Sequence, residues 1–390
     1  MLNRLYERLE SDWEEMIEIR RYLHQHPEVS FKEKKTAQYI VDFYRNLDIE
    51  VTEGVGGNGV VARIQGEKPG KTIALRADFD ALPIQDEKEV PYRSKVDGVM
   101  HACGHDGHTA TLLVLARAMN EIKAELPGSY VFIHQHAEEY APGGAKPMVE
   151  AGCLEGVDAV FGTHLWASEP VGKIQYRTGP IMAAADRFEI TIQGAGGHGA
   201  QPHKTKDSIV IASQLVGTLQ QIVSRRVNPI EPAVVTIGSF IAENAFNVIA
   251  DTAKLVGTVR TFSEETRDFI ISEMERIIKG ACFSADCSYT FNYDKGYPAV
   301  VNHKEETEHL IDVAEGVKGV SKVEECEMQM GGEDFAYYLQ EVPGTFFFTG
   351  AKPEGVDIPY PHHHPKFDFN EKAMLTAACV LASAAVTYAG

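Results

Sequence analysis

Three short apolar runs limit what this chain can fold into. Lys71 to Ala77, Tyr130 to His136 and Asp158 to Leu165 are short and almost continuously apolar. Such runs are strands buried on both faces of a sheet. Helical periodicity occupies about 34–46 and His105 to Ala124, and an extended stretch with a glycine turn (Gly54, Gly56, Gly57, Gly59) fills 48–64. Strand and helix therefore alternate, which is the pattern of a layered α/β architecture: a central mixed sheet flanked by helices.

The texture changes in the middle. Arg187 to Gln193, Ala233 to Ile241, Asp251 to Phe262 and Cys287 to Asp294 read as strands, while Ser208 to Arg225 and Glu264 to Ala281 read as helices. That order, β-α-β-β-α-β, is ferredoxin-like. A length of 390 residues suits about two domains. The expectation is a catalytic domain of residues 1–182 and 297–390, with an α+β lid or dimerisation domain inserted at 183–296. Gly179-Pro180 and Gly296-Tyr297-Pro298 punctuate the two crossings and offer hinges.

A formal net charge of −19 disfavours phosphate backbones and anionic lipid, so neither nucleic acid nor membrane is an expected partner. Met1 to Arg21 reads as a charged amphipathic helix rather than a signal, and Ala373 to Ala389 as a buried helix. Six scattered cysteines form no disulfide framework, and the spacing of Cys282 and Cys287 is neither zinc-ribbon nor redox. A reducing cytoplasm is the expected location.

Chemistry concentrates at strand ends. His101-Ala102-Cys103-Gly104-His105-Asp106-Gly107-His108 packs metal-ligating types into eight positions at a helix start. Thiolate and imidazole suit zinc and neighbouring divalent ions. The bland alternative is a polar helix cap with one core cysteine. Glu138-Glu139 follows the strand Tyr130 to His136, where ligands of open α/β sheets gather. One carboxylate there can bind a cation while the other takes a proton from activated water; alone, the pair would read as a solvated turn. His164, Asp78 and Asp80 also sit at strand C-terminal ends. The aspartates there suit orientation of ligand histidines, or, for Asp80, simply a capped turn. One or two of His362, His363 and His364 can face the same ion, since neighbours in extended chain alternate sides. Gly331-Gly332-Glu333-Asp334 precedes a helix and offers backbone N–H groups to an anion. In the inserted segment, His198 lies among glycines, and Asn247 and Arg260 suit a substrate carboxylate. A surface or structural role is the competing reading for each.

Together these motifs resemble the zinc-type metallopeptidases and aminoacylases, a family that includes hippurate hydrolase, auxin-conjugate hydrolase, N-acetyldiaminopimelate deacetylase and glutamate carboxypeptidase. The similarity is greatest to the branch with a cysteine ligand. It runs from Arg21-Tyr22-Leu23-His24-Gln25-His26-Pro27-Glu28 through Ala77-Asp78-Phe79-Asp80-Ala81-Leu82-Pro83, the 101–108 cluster, Phe246-Asn247-Val248-Ile249 and Arg260 to the histidines before Pro365. The resemblance implies two divalent ions per subunit, zinc or manganese, with nickel and cobalt compatible. Their ligands would be Cys103, His105, Glu139, His164 and a late histidine, which the family pattern places at His363 while His362 and His364 keep the choice open. Glu138 would be the general base and then acid, with Asp78 beside it. His198 would stabilise the oxyanion, and Asn247, Arg260 and Gly332 would bind substrate. The implied reaction is hydrolysis of N-acyl amino acids or amino-acid conjugates by a homodimer or larger homo-oligomer; the alternative is a dipeptidase or aminopeptidase with the same site. Arg76-Ala77-Asp78 departs from the wider family's His-x-Asp ligand motif, and Cys103 with His105 would replace the missing ligand.

Overall fold

Four parallel strands, Pro127–Gln135, Lys68–Asp78, Ala159–Trp166 and Gly344–Gly350, lie side by side at the centre of the larger sheet. Glu50–Val55 and Gly59–Gln65 extend one edge antiparallel; Lys173–Tyr176 and Lys322–Glu325 extend the other. The sheet has eight strands and is mixed, as expected. This computed structural model describes all residues, 1–390, in two units: residues 1–181, 301–328 and 334–390, and residues 182–300 with 329–333.

In the larger unit, the helices His105–Glu121 and Lys372–Ala389 share one core with the sheet, through Leu112, Leu115, Val380 and Leu381 against Ile73, Leu75 and Phe132. Lys372–Ala389 is long and apolar enough to span a membrane, but 78% of it is buried in this core. The single helix expected over Met1 to Arg21 is two, Leu2–Ser11 and Trp13–Gln25. Asp12 forms the corner because its carboxylate is held by Arg8 at 3.2 Å and Arg117 at 2.9 Å. Gly107 lets the helix start approach the sheet, since a Cβ there would meet Phe369 at 2.6 Å and Leu165 at 2.8 Å.

The smaller unit has an antiparallel sheet in the order Val234–Ile241, Thr252–Thr261, Ala184–Gln193, Ser288–Tyr297. Two helices cover one face, Ser208–Gln221 and Glu264–Ser284, burying Leu215, Leu219, Ile270 and Met274 on Phe188, Ile190 and Leu255. This is the expected ferredoxin-like order. Side-chain caps start both helices: Asp207 accepts from Ile209 N and Val210 N, and Ser263 from Thr266 N. The first helix stops at Gln221, and a π turn, Ile222–Arg226, completes the stretch expected to be helical. Cys282 lies in this core, and Cys287 is partly exposed.

Candidate metal centre

The parallel strands deliver their C-terminal ends to one place. Lys68–Asp78 ends at Asp78, whose Oδ2 accepts from Arg76 Nη1 at 2.7 Å and whose Oδ1 lies 2.6 Å from His108 Nδ1. Arg76 is buried and also donates to Gln135 Oε1 at 2.9 Å and Asp334 Oδ1 at 3.1 Å. Arg76 stands where the wider pattern has a histidine ligand, so this position supplies a counter-charge to Asp78 instead. His108 uses both ring nitrogens, since Nε2 accepts from Leu165 N at 2.9 Å. It ties two strand ends together and has no lone pair left for an ion.

Helix geometry sorts the rest of the 101–108 cluster. His105 and His108, three apart, share a face. Asp106 is turned away and meets Arg20 and His24. His101 is buried, its ring 6.3 Å from that of His24, and burial lowers its pKa to about 3, so it is a neutral core histidine. His105 Nδ1 sits 2.9 Å from the Asp80 carbonyl, which leaves Nε2 to face Asp78 Oδ2 at 3.7 Å, Glu139 Oε1 at 3.8 Å and Glu138 Oε2 at 4.0 Å. Burial opposes protonation of His105, but the charge of Asp78 and the bond to Asp80 outweigh it and raise the pKa to about 10. His164 Nδ1 lies 2.9 Å from the Leu165 carbonyl, and its Nε2 faces Cys103 Sγ at 3.4 Å. Burial around the sulfur, then the charges of Glu139, Glu138 and Asp78, push the Cys103 thiol well up. A thiol so placed is a poor nucleophile on its own and a good ligand once a cation offsets the carboxylates.

The three late histidines separate. His362 Nε2 lies 3.1 Å from the Leu165 carbonyl, and its ring packs on Trp166. His364 stacks on Tyr360, and its Nδ1 accepts from Lys366 N. His363 Nε2 stands 3.2 Å from Glu139 Oε1, its backbone N donates to Ala102 O at 2.8 Å, and its φ is +66°.

Asp80 is more than a turn cap. It accepts from Glu138 N and Glu139 N, each at 3.0 Å, and from Ser30 Oγ at 2.7 Å, so it sets the main chain under both glutamates. Glu33 completes this cradle and was missed, because an acid just before a helix reads as an ordinary terminus. It accepts from Ala137 N at 2.9 Å, holding that residue at a φ of +52° directly before Glu138. Asn58 Nδ2 donates to it at 2.9 Å.

A divalent ion fits these donors. Within each of three groups, Cys103 with His105 and His164, Cys103 with Glu139 and His363, and His105 with Glu138 and Glu139, the donor atoms lie within 4.8 Å of one another. Glu139 Oε1 is buried, and its 3.2 Å approach to His363 Nε2 falls outside hydrogen-bond geometry. The set mixes sulfur, nitrogen and oxygen, which suits zinc and its neighbours.

The remaining candidates belong to the smaller unit. His198 is exposed and pairs with Val248, which brings it beside the exposed Asn247. Gly199 permits the approach, since a Cβ would meet Asn247 O at 2.8 Å. Arg260 is half-buried on its strand, with Nη1 on Thr258 Oγ1 and on Val259 O. Gly332 packs on the strand Ala184–Gln193, where a Cβ would meet that of Ala185 at 2.7 Å. Close packing by itself accounts for that glycine.

Comparisons with known proteins agree with this geometry. Residues 74–387 match the model of "Peptidase family M20/M25/M40". The chain is 61% identical over 380 residues to YhaA of Bacillus subtilis strain 168, covering 97% of this chain and 96% of that protein. It is 47% identical over 304 residues to an N-acyl-L-amino acid amidohydrolase of Geobacillus stearothermophilus, 78% of this chain and 81% of that one. The crystal structure of Bacillus subtilis YxeP, described as a dinuclear metal binding peptidase, superposes with a TM-score of 0.84 at 37% identity, covering 97% and 98% of the two chains.

Proposed function

Because the chain belongs to peptidase family M20/M25/M40, whose amidohydrolases cleave amide bonds, we propose that it hydrolyses N-acyl amino acids with two divalent ions. The observation that carries this reading is the convergence of Cys103, His105, Glu139, His164 and His363 beside Glu138. The first five residues would hold the ions, zinc or manganese. When bound, such ions lower the pKa of water and polarise the scissile carbonyl.

The chain's own groups do the rest. Glu138 takes the proton of the attacking water on a carboxylate oxygen and returns it to the leaving nitrogen. Asp80 and Glu33 hold the main chain beneath Glu138, so the base is positioned before substrate arrives. Arg260 and Asn247 hold the substrate carboxylate, and His198 donates to the developing oxyanion. The reading places the protein in the cytoplasm as a homo-oligomer. The likeness to an N-acyl-L-amino acid amidohydrolase supports an acyl amino acid over a dipeptide.

A panel of N-acetyl amino acids and dipeptides, assayed on chelated enzyme reloaded with zinc or with manganese, tests this. Activity should vanish in chelator and return with metal. Glu138→Gln should lower kcat about 10²- to 10⁴-fold with both ions retained. Activity that survives chelation, or a Glu138→Gln enzyme at the wild-type rate, would sink the proposal.

A further inference from the structure

Resting on this two-ion reading, we infer that Arg20 is a positioning residue for the centre. It fixes the loop carrying His363 against the segment carrying Cys103 and His105, and so sets the affinity of the ion shared by Cys103, Glu139 and His363.

Arg20 is fully buried, and its guanidinium divides its donors between the two ligand-bearing segments. Nε donates to Asp106 Oδ2 at 2.9 Å, one residue beyond His105. Nη2 donates to Asp368 Oδ1 at 2.7 Å and Nη1 to Glu371 Oε1 at 3.1 Å, both downstream of His363. The planar group lies over the Phe369 ring at 4.3 Å and the Tyr92 ring at 4.8 Å, which fixes its orientation. A parallel tie runs alongside: His24 Nδ1 meets Asp106 at 2.7 Å, while Lys88 Nζ reaches His24 Nε2 at 2.8 Å and donates to Phe367 O at 2.9 Å. Tyr92 OH donates to Asp368 Oδ2 at 2.7 Å. None of these groups is among the donors assigned to an ion.

The tie matters because His363 needs restraint. Its φ of +66° is an unfavourable backbone conformation for a residue with a Cβ. Only its bond to Ala102 O joins the two segments directly at the centre. Without Arg20, the chain from Pro365 to Glu371 keeps its bonds to Glu87 N, Lys88, Tyr92 and Arg21 but loses a side chain that joins it directly to Asp106, which weakens the restraint on this bond and on the 3.2 Å approach of His363 to Glu139. A planar, five-donor guanidinium can serve Asp106, Asp368 and Glu371 together; an ammonium cannot reproduce that fork.

The test compares zinc binding by full-length wild type, Arg20→Lys, Asp368→Asn and Tyr92→Phe, using a competing chelator, with ion content measured after gel filtration. Wild type should hold two ions. Arg20→Lys should keep one and bind the second about 10- to 100-fold more weakly. Its kcat should recover as free zinc is raised while KM stays constant, a rescue that a general packing defect does not allow. If Arg20→Lys fails to fold, Asp368→Asn and Tyr92→Phe, which leave Arg20 in place, should show the same selective weakening to a smaller degree. The exposed variant Arg45→Ala, whose guanidinium pairs with Glu53 outside this network, should match wild type. Two ions in wild type with both affinities unchanged in Arg20→Lys would overturn the inference, as would equal loss of both ions. No ions in wild type would overturn the two-ion reading itself.

Discussion

Each unit buries an aspartate against an arginine, and the two pairs are completed differently. In the smaller unit Asp186 accepts from Arg267 Nε at 2.8 Å and from Arg267 Nη2, from Tyr293 OH at 2.6 Å and from Gly296 N at 3.0 Å. Donors from one helix and one strand close around it. In the larger unit Asp78 is held by Arg76 and His108, yet it still faces His105 Nε2 across 3.7 Å, a gap too long for a hydrogen bond. A closed network spends its charge on the fold. An open one keeps charge directed at a space, which is how a site is prepared for a cation before the cation arrives.

Swapping each aspartate for asparagine sharpens that contrast most. Asp78→Asn should lower kcat and ion affinity about 10- to 100-fold. Asp186→Asn should leave ion content intact and destabilise the smaller unit by about 3–5 kcal/mol, read as a fall in the urea midpoint. If Asp186→Asn released metal while Asp78→Asn kept it, the distinction would collapse. A smaller effect is expected at Arg260. Arg260→Ala should raise KM by the equivalent of about 1.5–3 kcal/mol for a lost charged hydrogen bond, with the metal centre untouched. An unchanged KM would remove Arg260 from substrate binding.

The smallest effect concerns Glu33. Burial raises its pKa from 4.5 to about 7, against the opposing hydrogen bonds from Asn58 and backbone. The folded state therefore holds a proton that the unfolded chain releases earlier. The stability Glu33 contributes is complete below about pH 4.5 and is lost as pH rises through 7. Unfolding free energies of ion-free protein, from urea titrations at pH 5 to 8, should fall on the order of 1 kcal/mol more in wild type than in Glu33→Gln. Parallel curves would show that Glu33 does not titrate there.

The buried strands were legible because parallel strands covered on both faces leave continuous apolar runs, as at Lys71 to Ala77. The ferredoxin-like unit was legible because half-buried strands alternate, as Thr252–Thr261 does. Edge strands such as Lys322–Glu325 carry no such signal, since their few residues are half-exposed and charged. In the site, only the family resemblance named single ligands; residue type and position by themselves pointed to the 101–108 cluster, to Glu138-Glu139 and to His164. They did not separate His105 from His108. That distinction depends on which backbone N–H reaches His108 Nε2, a contact made across 57 residues of chain. Arg20 and Glu33 were illegible for the same reason: their partners at 106, 137 and 368 are distant in sequence, and one charged residue looks like any other until its partners are known.

The central placement of the strand Gly344–Gly350 has a consequence for biosynthesis. It lies between Ala159–Trp166 and Lys173–Tyr176, strands translated well over a hundred residues earlier. All of the smaller unit leaves the ribosome before this strand does and has the pieces of its own core in hand. The larger sheet must wait with an open seam, its apolar strands uncovered until Gly344–Gly350 and then the helix Lys372–Ala389 emerge. His363 lies between those two late elements. A nascent chain with this order of elements cannot bring His363 to Cys103, His105 and Glu139 until the last strand and the segment after it have emerged; on the two-ion reading, filling of the site waits for that point.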